Sequence, residues 1–252
     1  MKSTIKLSLL VLAVVLLFTG CKKKTDTPQT AMLMLHIHTN IDTNEVDQGG
    51  VYTNQAGQSI SLTRAEYYIS GIKLTKTDGS TVDVSGTKLV QWGVEEYMIG
   101  DIPTGSYKSI SFNVGVPSAD NHKDPATQSG DLATQNPLMN YSTTANGYIF
   151  LAVAGLVDSN ASGTPNKAFS YQIGTDALLK TVTLGDHSAA PYNAPYVATA
   201  NGSVTIHIIG DYGKLFGTTD MIQNVQTNST DVNAALGTTL AGNIPSMFDY
   251  EE

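Results

Sequence analysis

His36 and His38 stand two residues apart in the run Ala31–His38 (AMLMLHIH), and Met32 and Met34 precede them at the same spacing. The run alternates two sets of residues, which is the period of a β-strand. Ala31, Leu33, Leu35 and Ile37 fall on one face, and Met32, Met34, His36 and His38 on the other. Two imidazoles so placed project to one side about 7 Å apart at Cα, a spacing that lets both reach one ion. Copper takes imidazole nitrogen and, as Cu(I), thioether sulfur. Two ordinary explanations use the same residues. Methionine fills irregular gaps in cores, and a half-exposed strand face often carries a solvated polar pair. The residues alone leave these open.

The remaining histidines differ in setting. His207 lies in Ser203–Ile209 (SVTIHII), a late strand on which it shares a face with Thr205. His122 and His187 sit among Asp and Ser and are expected to be exposed loop histidines. Asp120, Asn121, Asp124, Gln128 and Asp131 are oxygen donors of the kind Ca²⁺ prefers. Their spacing is not that of an EF-hand, and Asn/Asp-rich loops are ordinarily turn chemistry, so structural calcium is not expected.

The elements that must position these residues are mostly strands. Ser59–Leu62, Glu66–Leu74, Thr81–Val84, Leu89–Trp92, Ser106–Val116, Tyr148–Val153, Phe169–Ile173 and Lys180–Leu184 are strand-like. Asp78-Gly79 marks a two-residue hairpin, and Pro103 with Gly105 marks a turn. Residues 40–50 and 117–146 read as polar loops, the second long enough to be functional or disordered. A short helix is expected over Asp231–Ala241, capped near Ser229 or Thr230 and stopped before Pro245. The predicted fold class is all-β: a β-sandwich of mostly antiparallel strands with one or two short helices near the C-terminus.

The chain opens with Lys2 and Lys6, an apolar run from Leu9 to Phe18, then Thr19, Gly20 and Cys21, its only cysteine. Ten apolar residues are too few to span a bilayer, which needs about 20. Small residues before a cleavage point mark a processed signal. The predicted organisation is a lipoprotein signal over residues 1–20, a lipidated tether over 21–30 and one β-sandwich domain over 31–252. Cys21 would carry the lipid, fixing the protein to a bacterial envelope membrane, at its periplasmic face or at the cell surface. Removing the signal takes two lysines and no acid, which moves the net charge from −8 to −10. So acidic a chain offers nucleic acid no electrostatic footprint. Enzyme signatures are absent: there is no Gly-x-Ser-x-Gly elbow, Gly-rich phosphate loop or His-Glu-x-x-His. Glu95-Glu96 and Glu251-Glu252 read as solvated charge, and the chain is expected not to be an enzyme.

Several segments, in order, resemble one family. They are Val51–Asn54 with Gly57, Leu62–Leu74 (LTRAEYYISGIKL), Asp78-Gly79, Ile102–Val116 (IPTGSYKSISFNVGV), Asn146–Phe150 (NGYIF), Phe169–Gly174 (FSYQIG) and Val204–Phe216 (VTIHIIGDYGKLF). Their order and spacing resemble the MbnP-like domain of methanobactin-associated copper-binding proteins and of many Bacteroidetes-type lipoproteins. The resemblance implies an extracytoplasmic β-sandwich that binds copper as a carrier or sequestering protein, with a partner oxidase or metal transporter as the expected cooperating protein. It aligns His207 with a histidine recurring in relatives, which adds His207 to His36 and His38 as ligands, with Met34 near them. In copper-handling members a tryptophan oxidised to kynurenine accompanies the metal. Here Gln172 replaces a frequent histidine, Asn140-Tyr141-Ser142 stands where tryptophan is common, and Trp92 is followed by Gly93 and Val94 rather than by a Trp-x-His pair. A kynurenine ligand is therefore not implied. Metal competes with protons for imidazole, so affinity should fall as pH drops below about 6. A recognition module, using the 117–146 loop and the tyrosine-rich strands to hold a glycan or partner protein, is the alternative.

Overall fold

The alternation along the first strand sets the architecture. A computed structural model describes residues 29–136, 140–143 and 146–251. The proposed signal segment and Cys21 lie outside the described residues. In chain order the strands are β1 (Thr30–Ile41), β2 (Asn44–Glu45), β3 (Tyr52–Thr53), β4 (Ser59–Lys76), β5 (Thr81–Gln91), β6 (Glu96–Pro103), β7 (Gly105–Val114) and β8 (Tyr141–Thr143). There follow β9 (Gly147–Val157), β10 (Lys167–Gly174), β11 (Lys180–Thr183), β12 (Tyr196–Ala198), β13 (Ser203–Asp211), β14 (Gln226–Thr227) and β15 (Phe248–Tyr250). They form a five-stranded sheet, ordered β15-β13-β1-β2 with β6 also on β1, and a ten-stranded sheet built on β11-β7-β4-β9-β10-β14. No helix among the described residues is long and apolar enough to cross a membrane.

Leu33, Leu35 and Ile37 of β1 are buried, as are Ile206 and Ile208 of β13. They join Phe112, Val114 and Val153 of the larger sheet in one core. Phe248 on β15 meets Tyr67 and Phe112 edge-on at 5.3 and 5.2 Å, an aromatic contact that ties one sheet to the other. Most pairings are antiparallel, as expected. The exceptions are the short β10–β14 pair and β1 with β13, which run parallel, the latter in an unbroken register from Met32↔Ser203 to Asn40↔Asp211.

The Asp78-Gly79 turn is present, closed by Lys76 N–H donating to Ser80 O at 2.8 Å. Three expectations are corrected. The two segments Ser59–Leu62 and Glu66–Leu74 are one strand, β4; register shifts between Leu62 and Arg64 and around Gly71 (φ +55) break its visible alternation. The 117–146 segment carries short helical turns and β8, and Leu132 packs with Tyr68, Tyr148 and Phe150 in a second apolar cluster. The C-terminal helix runs Ala234–Met247, capped by Asn233, with Pro245 inside it. Pro245 forfeits a backbone bond in the last turn, and burial of Ile244 and Met247 outweighs that loss.

Where the β1–β13 pairing ends, Asp211 Oδ1 accepts the amides of Asp42 and Gly213, both at 2.8 Å. Burial pushes its carboxyl above the usual carboxylate range. Asp211→Ala leaves both amides without an acceptor and should cost about 2–4 kcal/mol. Asp211→Asn keeps an Oδ1 and should cost under about 1 kcal/mol at pH 7. The folded carboxyl holds its proton more tightly than the unfolded one. The wild-type contribution is therefore full below the unfolded value and lost as pH rises through the folded value, a dependence the Asn variant lacks. Urea unfolding at pH 4 and pH 7 measures both effects; equal losses for Ala and Asn would refute the acceptor role.

Candidate metal centre

The outward face of β1 gathers the histidines. Burying Leu35 and Ile37 turns His36 and His38 to the solvent side, where both are partly exposed. Register sets His207 of β13 beside His36. The His36 ring lies 4.6 Å from that of His38 and 4.8 Å from that of His207, centroid to centroid. Met34 lies one step further along the same face, opposite Met98 of β6 and Thr205 of β13.

Backbone bonds to β1 and β13 then bring in carboxylates. Ile37 N–H donates to Glu95 O and Val46 N–H to Thr39 O, each at 2.9 Å, which fixes the chain bearing Glu95 and Glu45. Glu96 is the register partner of His36. Glu251 N–H donates to His207 O at 3.2 Å, extending the β13–β15 pairing to Glu251. The side chains converge accordingly. His36 Nδ1 is 2.6 Å from Glu96 Oε1, and His38 Nδ1 is 3.3 Å from Glu45 Oε1. Glu251 reaches His38 Nε2 with one oxygen at 3.5 Å and His207 Nδ1 with the other at 3.2 Å. Glu95 is 3.8 Å from His36 Nε2.

Hydrogen accounting exposes what this arrangement lacks. His36 Nε2 and His38 Nε2 face each other at 2.6 Å. When each Nδ1 donates to its carboxylate, each Nε2 keeps a lone pair. Two lone pairs and a carboxylate oxygen then point at one place, and only a cation, proton or metal ion, reconciles them. Among the described residues, no lysine or arginine bridges Glu45, Glu95, Glu96 or Glu251. Ligand atoms of His36, His38 and Glu251 lie within 4.8 Å of one another, as do those of His38, Glu45 and Glu95. This donor set fits a divalent transition metal, and a carboxylate on the far nitrogen of each histidine is the usual support for such a ligand.

His207 enters the cluster through its ring contact with His36 and its bond to Glu251. Glu251, Glu95, Glu96 and Glu45 are the members of the cluster that the sequence did not disclose. Adjacent residues within one strand would point to opposite faces. Glu95 precedes the strand, so alternation does not govern it, and both carboxylates approach His36. Beside the cluster a cleft of about 440 Å³ is lined by Ile37, Thr39, Glu45, Val46, Trp92 and Glu95. The Trp92 indole N–H donates to Val46 O at 2.8 Å.

Other positions lie elsewhere. Gln172 is on β10 of the larger sheet and lines a separate small cavity with Ser142 and Asn228. His122 is exposed, with Nε2 3.2 Å from Asp176. His187 is a correction: it is half-buried, stacked on Tyr192 at 4.4 Å and within 4.8 Å of Tyr250, and it donates from Nδ1 to Ala194 O. Burial pushes the Tyr250 hydroxyl up to about 12, so this neighbour of Glu251 adds no charge. Of the loop oxygen donors, Asp131 accepts from Leu89 N–H, Asp124 from Ala126 N–H, and Asp120 pairs with Lys123.

These features define a β-sandwich that presents a histidine–glutamate face from a parallel strand pair. The chain belongs to the MbnP family, which it matches over residues 30–234. The resemblance carried by its sequence segments is thus borne out. Among solved structures it is similar to MbnP from Methylosinus trichosporium, with a TM-score of 0.60 and 14% identity over 83% of this chain and 87% of that one. No curated protein matches.

Four carboxylates crowded without a fixed positive partner should repel one another. Glu45→Gln with Glu95→Gln should therefore raise the unfolding temperature of the chelator-treated protein by a few degrees, a gain of about 0.5–1 kcal/mol. The gain should shrink in about 1 M salt. Calorimetry in low and high salt reads both, and a double variant less stable than wild type would refute the repulsion.

Proposed function

We propose that this protein is a copper-binding lipoprotein of the cell envelope, a carrier or sequestering protein without turnover chemistry of its own. The observation that carries the reading is the approach of two imidazole Nε2 atoms to 2.6 Å with the Glu251 carboxylate beside them. His36, His38 and Glu251 would hold the ion. His207, half-exposed against His36, would add a fourth donor by turning its ring. Glu96 and Glu45 would keep the two Nδ1 atoms protonated and the two Nε2 atoms available. Imidazole with carboxylate also accepts zinc; membership of the MbnP family supports copper. Cys21 would tether the site to the membrane, where an oxidase or transporter could exchange ions with it.

The convergence of the histidines counts against the recognition-module alternative. So does the placement of aromatic rings: Tyr67, Tyr68, Tyr97, Tyr107, Tyr148, Tyr171, Tyr212 and Tyr250 are buried, and the exposed large apolar side chains of the described residues are four valines and Met98.

Equilibrium dialysis of the full chain in detergent should find one tightly held copper per chain, absent in the His36→Ala/His38→Ala variant. Glu251→Gln should weaken it by roughly 10–100-fold. Intact folding by circular dichroism with no copper retained would refute the reading, as would unaltered binding in the double histidine variant.

A further inference from the structure

The methionines among the described residues fall into two kinds. Met221 and Met247 are fully buried, where methionine serves as a pliable core filler. Met32, Met34 and Met98 are not, and the β1–β6 pairing gathers all three on the outer face of the smaller sheet. Met98 is 62% exposed, the most exposed large apolar residue among those described. Met34 and Met98 are register partners, one row along from the His36–Glu96 pair. Directly opposed residues of an antiparallel pair hold their Cβ atoms about 5 Å apart, within which two flexible side chains can bring their sulfurs to one ion. Met32 lies one further step along β1, opposite Asp101.

We propose that Met34 and Met98 form a second cation site, distinct from the imidazole–carboxylate centre, that takes a soft monovalent ion such as Cu(I) or Ag(I). Thioethers bind soft ions and ignore Zn²⁺ and Ca²⁺. Being neutral, they offer no charge of their own; the carboxylates of the next row supply the negative potential that draws a cation to this face. The rows are about 7 Å apart. An ion bound first by the exposed sulfurs can therefore pass to His36 by ligand exchange, with no electron transferred. Met98 is the accessible member and Met34 the one shared with the histidine strand. The inference rests on the metal reading of the neighbouring histidines, and its test separates the two.

Silver is the probe because it is soft, monovalent and redox-inert. The full chain carrying Cys21→Ser, which removes its only thiol, is titrated with Ag(I) and bound silver is counted by mass spectrometry. Met34→Leu/Met98→Leu keeps apolar volume and should fold. It should bind one silver ion fewer than its parent while keeping its copper. His36→Ala/His38→Ala should retain a silver ion that the methionine changes then abolish. In the parent, one equivalent of silver should slow peroxide oxidation of Met98 at least tenfold, read by peptide mass. Silver stoichiometry and affinity unchanged in Met34→Leu/Met98→Leu, or a Met98 oxidation rate indifferent to silver, overturns the site. Copper absent from the folded parent, or kept by His36→Ala/His38→Ala, while the methionine-dependent silver persists overturns only the histidine reading.

Discussion

The parallel, in-register pairing of β1 with β13 is the constraint on which the rest of the structure depends. It gives the smaller sheet two adjacent central strands whose inner residues, Leu33, Leu35, Ile206 and Ile208 among them, supply one wall of the core. Because side chains alternate, the same register that buries those residues fixes the outer row, with His36 beside His207. A slip of one residue would turn the imidazoles inward and the leucines outward. The hydrophobic core and the histidine face are therefore one decision, and the core's far larger burial energy enforces the geometry of the site.

The charge distribution separates this site from the polar clusters that only hold the fold. Glu66 is buried, yet Arg64 and Asn140 donate to it, so its charge and its lone pairs are answered locally. Asp176 accepts from Ser118 and Asn121, and these bonds hold its carboxyl below the usual carboxylate range. At the β1 face the balance stays open. Carboxylates outnumber imidazoles, no arginine or lysine closes the circuit among the described residues, and two ring nitrogens compete for one hydrogen. Structure that tolerates such repulsion is ordinarily structure kept for a ligand.

Legibility in the sequence followed the range of the interaction. The alternation of AMLMLHIH announced β1 and its two faces because strand burial is written with a period of two. Asp78-Gly79 announced its hairpin because only a few residue pairs suit that turn. Glu45, Glu95, Glu96 and Glu251 gave no such signal. Each is a common surface acid in its own segment and becomes part of the site through ladder bonds to β1 or β13. His187 was misread for the same reason: the rings that enclose it come from Tyr192, Tyr196 and Tyr250, and the last belongs to a distant strand. Proline is a local stop signal, and tertiary burial of Ile244 and Met247 carries the helix past it. Glu251 had no local cue at all; only the β13–β15 pairing identifies it.

The same pairing has a kinetic side. Asp42 and Asp211, which meet at the end of the β1–β13 ladder, are 169 residues apart in the chain. Contacts so distant in sequence are slow to form, because the entropy of closing the intervening loop must be overcome before any of them stabilises the fold. β1 is made first and must wait for β13 and β15 before its outer face has neighbours. The histidine–glutamate face is thus complete only once that long loop has closed. An ion that needs all of it can bind the finished molecule and not its precursors. Its affinity would add wholly to the stability of the native state, and occupancy would serve as a certificate that the sandwich had closed.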